Sequence, residues 1–387
     1  MQQSPAACQA VVVGAGFAGA VTARELADHG YQVRILERRA QIGGNMYDYS
    51  RDGVLTHLYG PHIFHTGNQK VFDYLSRFTC WTAYEHRVLG RIQGKYVPIP
   101  FNFRSMDELF PAQEAAMLRE KLLAAYPGQD RVSILELVHS TDPDIARLGE
   151  FVFENVFVHY TAKQWGMPVE QVDTSVINRV PVVLGYDDRY FRDPIQMMPE
   201  QGFTPLFEAM LDHENITVEL NTDARARLIL TEDGKILLDG EEFTGPVIYT
   251  GAPDELLDCR LGALPYRSLR LDFETVETDS FQPASVVNYP NEEDFTRITE
   301  FKKLTGQELS GRTVILREYP AKYQPNTGME AYYPIDSEES HALYRRYREE
   351  FSRYKNLHFC GRLAEYRYYN MDAAVEAALR LSAELVK

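Results

Sequence analysis

An α/β chain carrying two further units follows from three observations. A short apolar run, Val11 to Val13, ends in the glycines Gly14, Gly16 and Gly19 and passes through a helix-like stretch into a second apolar run, Val33 to Leu36. Strand, glycine turn, helix and strand in that order mark a Rossmann-like dinucleotide-binding domain. Residues 101–160 are dominated by helical periodicity, which predicts a helical insertion domain. Beyond residue 263, short alternating or β-branched runs predict an antiparallel β-sheet domain. The implied division assigns 1–80, 203–262 and 350–387 to the dinucleotide domain and 101–160 to the helices. Segments 81–100, 161–202 and 263–349 then form the sheet domain that faces substrate.

Each glycine of the first turn has its own task. Gly14 permits the tight turn, Gly16 lets backbone approach a pyrophosphate, and Gly19 lets the helix pack on the strand. Phe17 and Ala18 open the helix, whose free N–H groups attract phosphate. Glu37 ends the second strand at about the ~20-residue spacing of a ribose-binding acid. Glycines in an ordinary surface turn produce the same spacing by chance, but without the flanking strands and the acid. Arg38 follows Glu37, and Gly43, Gly44 and Asn45 continue the stretch as ERRAQIGGN. A basic residue after the acid and then a glycine pair resembles FAD enzymes of the glutathione-reductase-like class, which implies FAD rather than NAD.

The 387 residues suit two or three domains. A net charge of −16 argues against nucleic acid as a partner, because no basic stripe exists to displace counterions. An anionic substrate would need local arginines to overcome that field. The 24 tyrosines suit a site that both stacks and hydrogen-bonds polar rings, although most tyrosines in any chain serve the core. Cys8, Cys80, Cys259 and Cys360 are far apart, so neither a metal knuckle nor a disulfide framework is indicated. With no signal segment and no apolar run of spanning length, no membrane insertion is expected and a reducing cytoplasm is the default.

Taken in order, Asn45 to Ser50 and Val54 to Tyr59 read as strands about an Asp52-Gly53 turn. In YGPHIFHT, His62 and His65 lack further ligands for zinc. His62 directly follows the flavin-side loop, so a cofactor-facing role competes there with plain core packing. Asn68 to Phe78 reads as a helix and Trp81 to Val97 as a β-hairpin. Met106 to Ala125, Ser133 to His139 and Ile145 to Tyr160 carry the helical period. Thr161 to Met198 fits no regular element, and its aromatic content argues for a mobile lid rather than disorder. Thr204 to Leu211 is helical, and short strands follow up to Val247–Tyr249. Ser268 to Phe273, Ser285 to Tyr289, Arg297 to Glu300 and Thr313 to Tyr319 supply the second sheet. Leu357 to Cys360 returns as a buried strand, and Ala373 to Leu385 closes the chain as a helix.

Arg179, Arg297 and Arg362 sit amid aromatic residues, where a guanidinium fork suits diphosphate oxygens. Most arginines form surface ion pairs, so composition alone does not single these out. The runs GPHIFHT, YTAKQWG, INRVP with YDDRYF, TRITEFK, AYYPI and GRLAEYRYYNMD together resemble bacterial UDP-galactopyranose mutases, in order and nearly end to end.

That resemblance implies interconversion of UDP-galactopyranose and UDP-galactofuranose with FAD kept reduced and no net redox change. In the family, N5 of the reduced flavin forms a covalent adduct with the anomeric carbon and UDP departs before the ring recloses. Arg179 and Arg297 match the diphosphate arginines, and Tyr160, Gln164 and Trp165 fall in the motif that stacks uridine and lies beside the sugar. Tyr190, Tyr332 and Tyr368 match phosphate-binding tyrosines; His62 and Arg362 match residues beside the flavin. Asn370 stands where several members have an acid, and Asp372 is assigned to the flavin side. A homodimer is usual for bacterial relatives. A redox oxidase or desaturase of the amine-oxidase-like class shares the glycine fingerprint but would expect an apolar channel.

Overall fold

The structure, a computed structural model, describes residues 9–158, 163, 181–325 and 327–387. Its first layer is a parallel five-stranded sheet. The strands run in the order Ile216–Glu219, Gln32–Leu36, Gln9–Val13, Val247–Tyr249 and Leu357–Phe359. Neighbouring side chains on a strand point to opposite faces, so an apolar run such as AVVV covers both sides. Val12, Ile35 and Ile248 pack on one face against Ala20, Ala23 and Leu26 of the helix Phe17–Asp28 and against Val375 and Ala378 of the helix Met371–Leu385. Val11, Leu36 and Val247 pack on the other, with Leu228, Leu238 and with Tyr347 and Phe351 of the helix Glu338–Phe351.

A seven-stranded sheet forms the second layer, in the order Tyr333–Pro334, Tyr266–Val276, Thr313–Lys322, Arg297–Glu300, Val286–Asn288, Val88–Ile92 and Lys95–Ile99. Every pairing is antiparallel except that of Val286–Asn288 with Val88–Ile92, where the chain returns from a distant segment. The helices Phe103–Leu109, Ala112–Ala125, Ile134–Val138 and Pro143–Val152 pack Met106, Leu118, Leu122, Leu137 and Leu148 against Val88, Ile92, Val97 and Ile99 at that sheet's end. Their starts are set by side chains. Asn102 accepts from the backbone of Arg104 and Ser105 at 2.8 and 3.2 Å while Ser105 caps in return, and Asp142 accepts from Asp144 N–H at 2.9 Å. Among the described residues no helix is long and apolar enough to cross a membrane.

Two expectations from the sequence need correction. Trp81 to Val97 is not one hairpin: Trp81–Ala83 pairs instead with Ile195–Pro199, and the hairpin proper is Val88–Ile92 with Lys95–Ile99. The two strands follow closely in sequence, and no turn signal between them shows that their partners differ. Nor is Thr161 to Met198 irregular throughout. Pro181–Val183 pairs with Arg131–Ser133, and Ile195–Pro199 is the central strand between Phe64–Thr66 and Trp81–Ala83. Both partners are remote in sequence, which is why such short strands carried no local signal. The helical expectation for Ile145 to Tyr160 resolves into Pro143–Val152 followed by a π-helical segment, Phe153–Val158.

Candidate active site

The first strand-to-helix turn is built so that only glycine fits. Gly14 has φ +98°, and a Cβ there would lie 2.2 Å from Thr250 Oγ1, which is itself fixed by donating to Val13 C=O at 2.7 Å. A Cβ on Gly19 would lie 1.9 Å from the Gly14 carbonyl oxygen, so the helix rests directly on the turn. Gly44, at φ +56°, would bring a Cβ within 2.8 Å of Gly16 Cα. Two backbone turns therefore touch here and leave an open cradle above them. Gly16 precedes the helix without any side-chain cap, so the first helical N–H groups face that cradle. Glu37 ties the turns together: its carboxylate accepts from Ala15 N–H at 2.7 Å and from Arg39 N–H at 2.8 Å.

From this cradle a cavity of about 400 Å³ runs toward the second sheet, within the range of small-molecule sites. Gly14, Gly16, Phe17, Ala18, Glu37, Arg38, Gly43, Gly44 and Asn45 line the near end. Gly19 does not; it shapes the turn from behind, the packing task the fingerprint assigns it. Arg38 pairs with Glu255 at 3.0 Å and Glu330 at 3.4 Å, while Asn45 Oδ1 accepts from Arg39 at 2.9 Å.

His62 lines the cavity wall. Burial first, and then the charges of His57, Arg362 and Arg297, hold its pKa well below the ordinary histidine value, so the ring is neutral. Its Nδ1 is buried without a hydrogen-bond partner. An orphaned ring nitrogen on a cavity wall beside a glycine cradle suits a large polar heterocycle attached to a dinucleotide phosphate.

Arg297, Tyr190, Tyr368, Arg362 and Asn370 line the far end. Arg297 lies directly across the ladder from Glu318, and its Nε donates to that buried carboxylate at 2.6 Å. Arg362 lies over the Tyr333 ring at 4.7 Å, and Tyr333 stacks on Tyr368 at 5.3 Å with planes 16° apart. Tyr190 is 42% exposed, its exposed face opening into the cavity. Asn370 is the residue before the helix Met371–Leu385, and its side chain makes no cap bond. Guanidinium groups, phenols, an amide and a helix start therefore converge where an anion would sit.

Two residues expected at this site are elsewhere. Tyr332 is buried behind the wall, and its neighbour Tyr333 lines the cavity instead. Adjacent residues of an extended strand face opposite sides, so a Tyr-Tyr pair places one ring in and one out. Asp372 does not line the cavity; it accepts from the Thr66 hydroxyl at 2.8 Å and ties the closing helix to the strand Phe64–Thr66. Each helical residue advances about 100°, which turns Asp372 away from the side that Asn370 and Met371 present. Tyr160, Gln164, Trp165 and Arg179 lie outside the described residues.

The sequence reading missed His65, His86, Phe191 and Asn288, all on the wall. Phe191 stacks on His65 at 3.7 Å, and burial holds His86 at a pKa of about 3, with Arg297 and His65 adding to the effect. Asn288 faces Arg297 across the ladder, a pairing visible only once the strands are in register.

Comparison with known proteins agrees with this geometry. Residues 155–368 match the sequence model of the family described as UDP-galactopyranose mutase, and residues 12–78 match that of the NAD(P)-binding Rossmann-like domain. The UDP-galactopyranose mutase of Mycoplasma pneumoniae is 35% identical over 384 residues, 97% of this chain and 96% of that one. The dTDP-fucopyranose mutase of Escherichia coli is 31% identical over 380 residues, 97% of this chain and 98% of that one. A crystal structure of reduced UDP-galactopyranose mutase shares the fold with a TM-score of 0.68 at 17% identity, covering 98% of this chain and 94% of that one.

Proposed function

Because the chain belongs to the UDP-galactopyranose mutase family of isomerases, we propose that it interconverts UDP-galactopyranose and UDP-galactofuranose with reduced FAD and no net redox change. One observation carries this reading: a single cavity joins the glycine cradle to the Arg297, Arg362 and tyrosine cluster, and His62 lines its wall. Gly14, Gly16, Phe17, Ala18, Glu37, Arg38, Gly43, Gly44 and Asn45 would hold FAD, with His62 and Arg362 toward its ring end. Reduced FAD, when bound there, would supply N5 as a nucleophile toward the anomeric carbon as the bond to UDP breaks.

The chain's own residues do the rest. Arg297, fixed by Glu318, holds the substrate diphosphate and stabilises the negative charge that gathers on departing UDP. Tyr190, Tyr333 and Tyr368 direct hydroxyls at the phosphates, and Tyr333 takes the place first assigned to Tyr332. Asn370 offers an amide donor where an acid would repel the diphosphate. His62 remains neutral, so its ring nitrogens bond without adding charge beside the cofactor. Arg179 joins Arg297 at the diphosphate, and Tyr160, Gln164 and Trp165 hold the uridine and sugar. The same reading includes a cytoplasmic homodimer.

The test is an anaerobic assay with dithionite in which UDP-galactofuranose is converted to the pyranose nucleotide. Borohydride added during turnover is expected to leave a galactose-derived mass on the flavin. Unmodified flavin recovered from verified turnover overturns the covalent role. In a parallel aerobic assay without dithionite, oxygen consumption in place of sugar conversion indicates a redox enzyme.

A further inference from the structure

Glu330 does not line the cavity itself but joins two cations of the cradle to the segment that leads into Tyr333. Its Oε2 accepts from Arg39 at 2.5 Å and from Arg38 at 3.4 Å, the two cations that follow Glu37. Both cations also belong to the cradle: Arg38 reaches Glu255 at 3.0 Å, and Arg39 donates to Asn45 and lies 4.1 Å over the Tyr59 ring. Three residues after Glu330, Tyr333 forms the far wall with Tyr368 and Arg362. The edge strand that carries Tyr333 is only Tyr333–Pro334, paired to Tyr266 and Arg267. The approach to it adds two bonds, Ser268 Oγ to Glu330 C=O at 2.7 Å and Tyr332 N–H to Arg267 C=O at 3.0 Å. Beyond the short ladder, Ile335 N–H donates to Pro265 C=O at 3.0 Å and the Tyr366 hydroxyl to Ile335 C=O at 3.0 Å, while on the approach side the charge-assisted bonds at Glu330 tie the strand to the cradle.

We propose that Glu330 is a positioning residue that couples the two ends of the site, holding Tyr333 against the nucleotide sugar by pairing with Arg38 and Arg39. This rests on the mutase reading above. Losing the carboxylate loosens the tyrosine wall and at the same time leaves both guanidinium groups more available to the dinucleotide phosphates. UDP binding therefore weakens while FAD binding does not, a split that general damage to the fold does not produce.

The experiment titrates UDP into the flavin-loaded, oxidised full-length protein, parent and Glu330→Gln, and follows FAD release in the same samples. For Glu330→Gln the Kd of UDP rises about tenfold, the size of a typical coupling between sites, and KM rises with it while kcat stays within about twofold. FAD release does not quicken. Glu330→Asp, which keeps the charge on a shorter arm, shows a smaller rise, and it carries the test if the Gln variant does not accumulate. In a Tyr333→Ala background Glu330→Gln adds nothing more, because its effect runs through that ring. A UDP Kd within about twofold of the parent, equal weakening of UDP and FAD, or full additivity with Tyr333→Ala overturns the proposal. A parent that binds no UDP removes the mutase reading and this proposal with it; a parent that binds UDP beside a silent Glu330→Gln removes the coupling alone.

Discussion

Nδ1 of His57 accepts the backbone N–H of His62 at 3.1 Å, closing the Gly-Pro turn that sets His62 on the cavity wall. Nδ1 is therefore unprotonated, and burial, opposed by the Asp48 carboxylate, brings the His57 pKa from 6.5 down to about 4. Between those two values the unfolded chain binds the proton and the folded chain does not. Stability accordingly falls as pH drops from about 6.5 toward 4. His57→Gln starts about 1–3 kcal/mol less stable at neutral pH if the His62 N–H is left unsatisfied, and it declines less steeply on acidification. Urea midpoints measured across that window check both; an identical slope in the variant assigns the acid lability to other groups.

The two glycines of the first turn separate folding from cofactor binding. Gly14→Ala drives a methyl to 2.2 Å from Thr250 Oγ1 at a left-handed φ, so a large loss of thermal stability is expected. A Cβ on Gly16 meets only the Gly44 backbone, Cα at 3.6 Å and N at 4.0 Å, which are ordinary contacts. Gly16→Ala should melt close to the parent while retaining much less flavin, because its methyl fills the cradle and not the core. Melting temperature and flavin content, read on the same preparations, distinguish the two.

Tyr333 and Tyr332 make a matched pair for the far wall. Tyr333→Ala removes the ring that stacks on Tyr368 and lies under Arg362. Stacked aromatic pairs contribute about 0.5–1.5 kcal/mol, and the phosphate contact proposed for Tyr333 would add to that, so KM should rise about tenfold or more. Tyr332→Phe keeps the buried ring and should leave KM within about twofold. Steady-state kinetics under reducing conditions decide; the reverse ranking returns the site to Tyr332.

Legibility in the sequence followed the range of the interactions. The glycine turn, the first two strands and the helix between them depend on residues adjacent along the chain, and Gly14, Gly16 and Glu37 stand where the spacing puts them. Trp81–Ala83 and Ile195–Pro199 were misread because their hydrogen-bond partners are far off in sequence. Asp372 was misplaced for a smaller reason: motif position identifies a helix turn but not which side of it faces the cavity.

The sequence by itself determined the dinucleotide cradle and the family, because steric demands on a turn and an ordered set of motifs are written in consecutive residues. Only the tertiary structure decided which tyrosine of a pair faces the cavity and that Glu318 backs Arg297. It alone joined Glu330 to Arg38 and Arg39 across the fold. Side-chain direction and cross-strand register arise from packing between distant segments, and no local pattern records them.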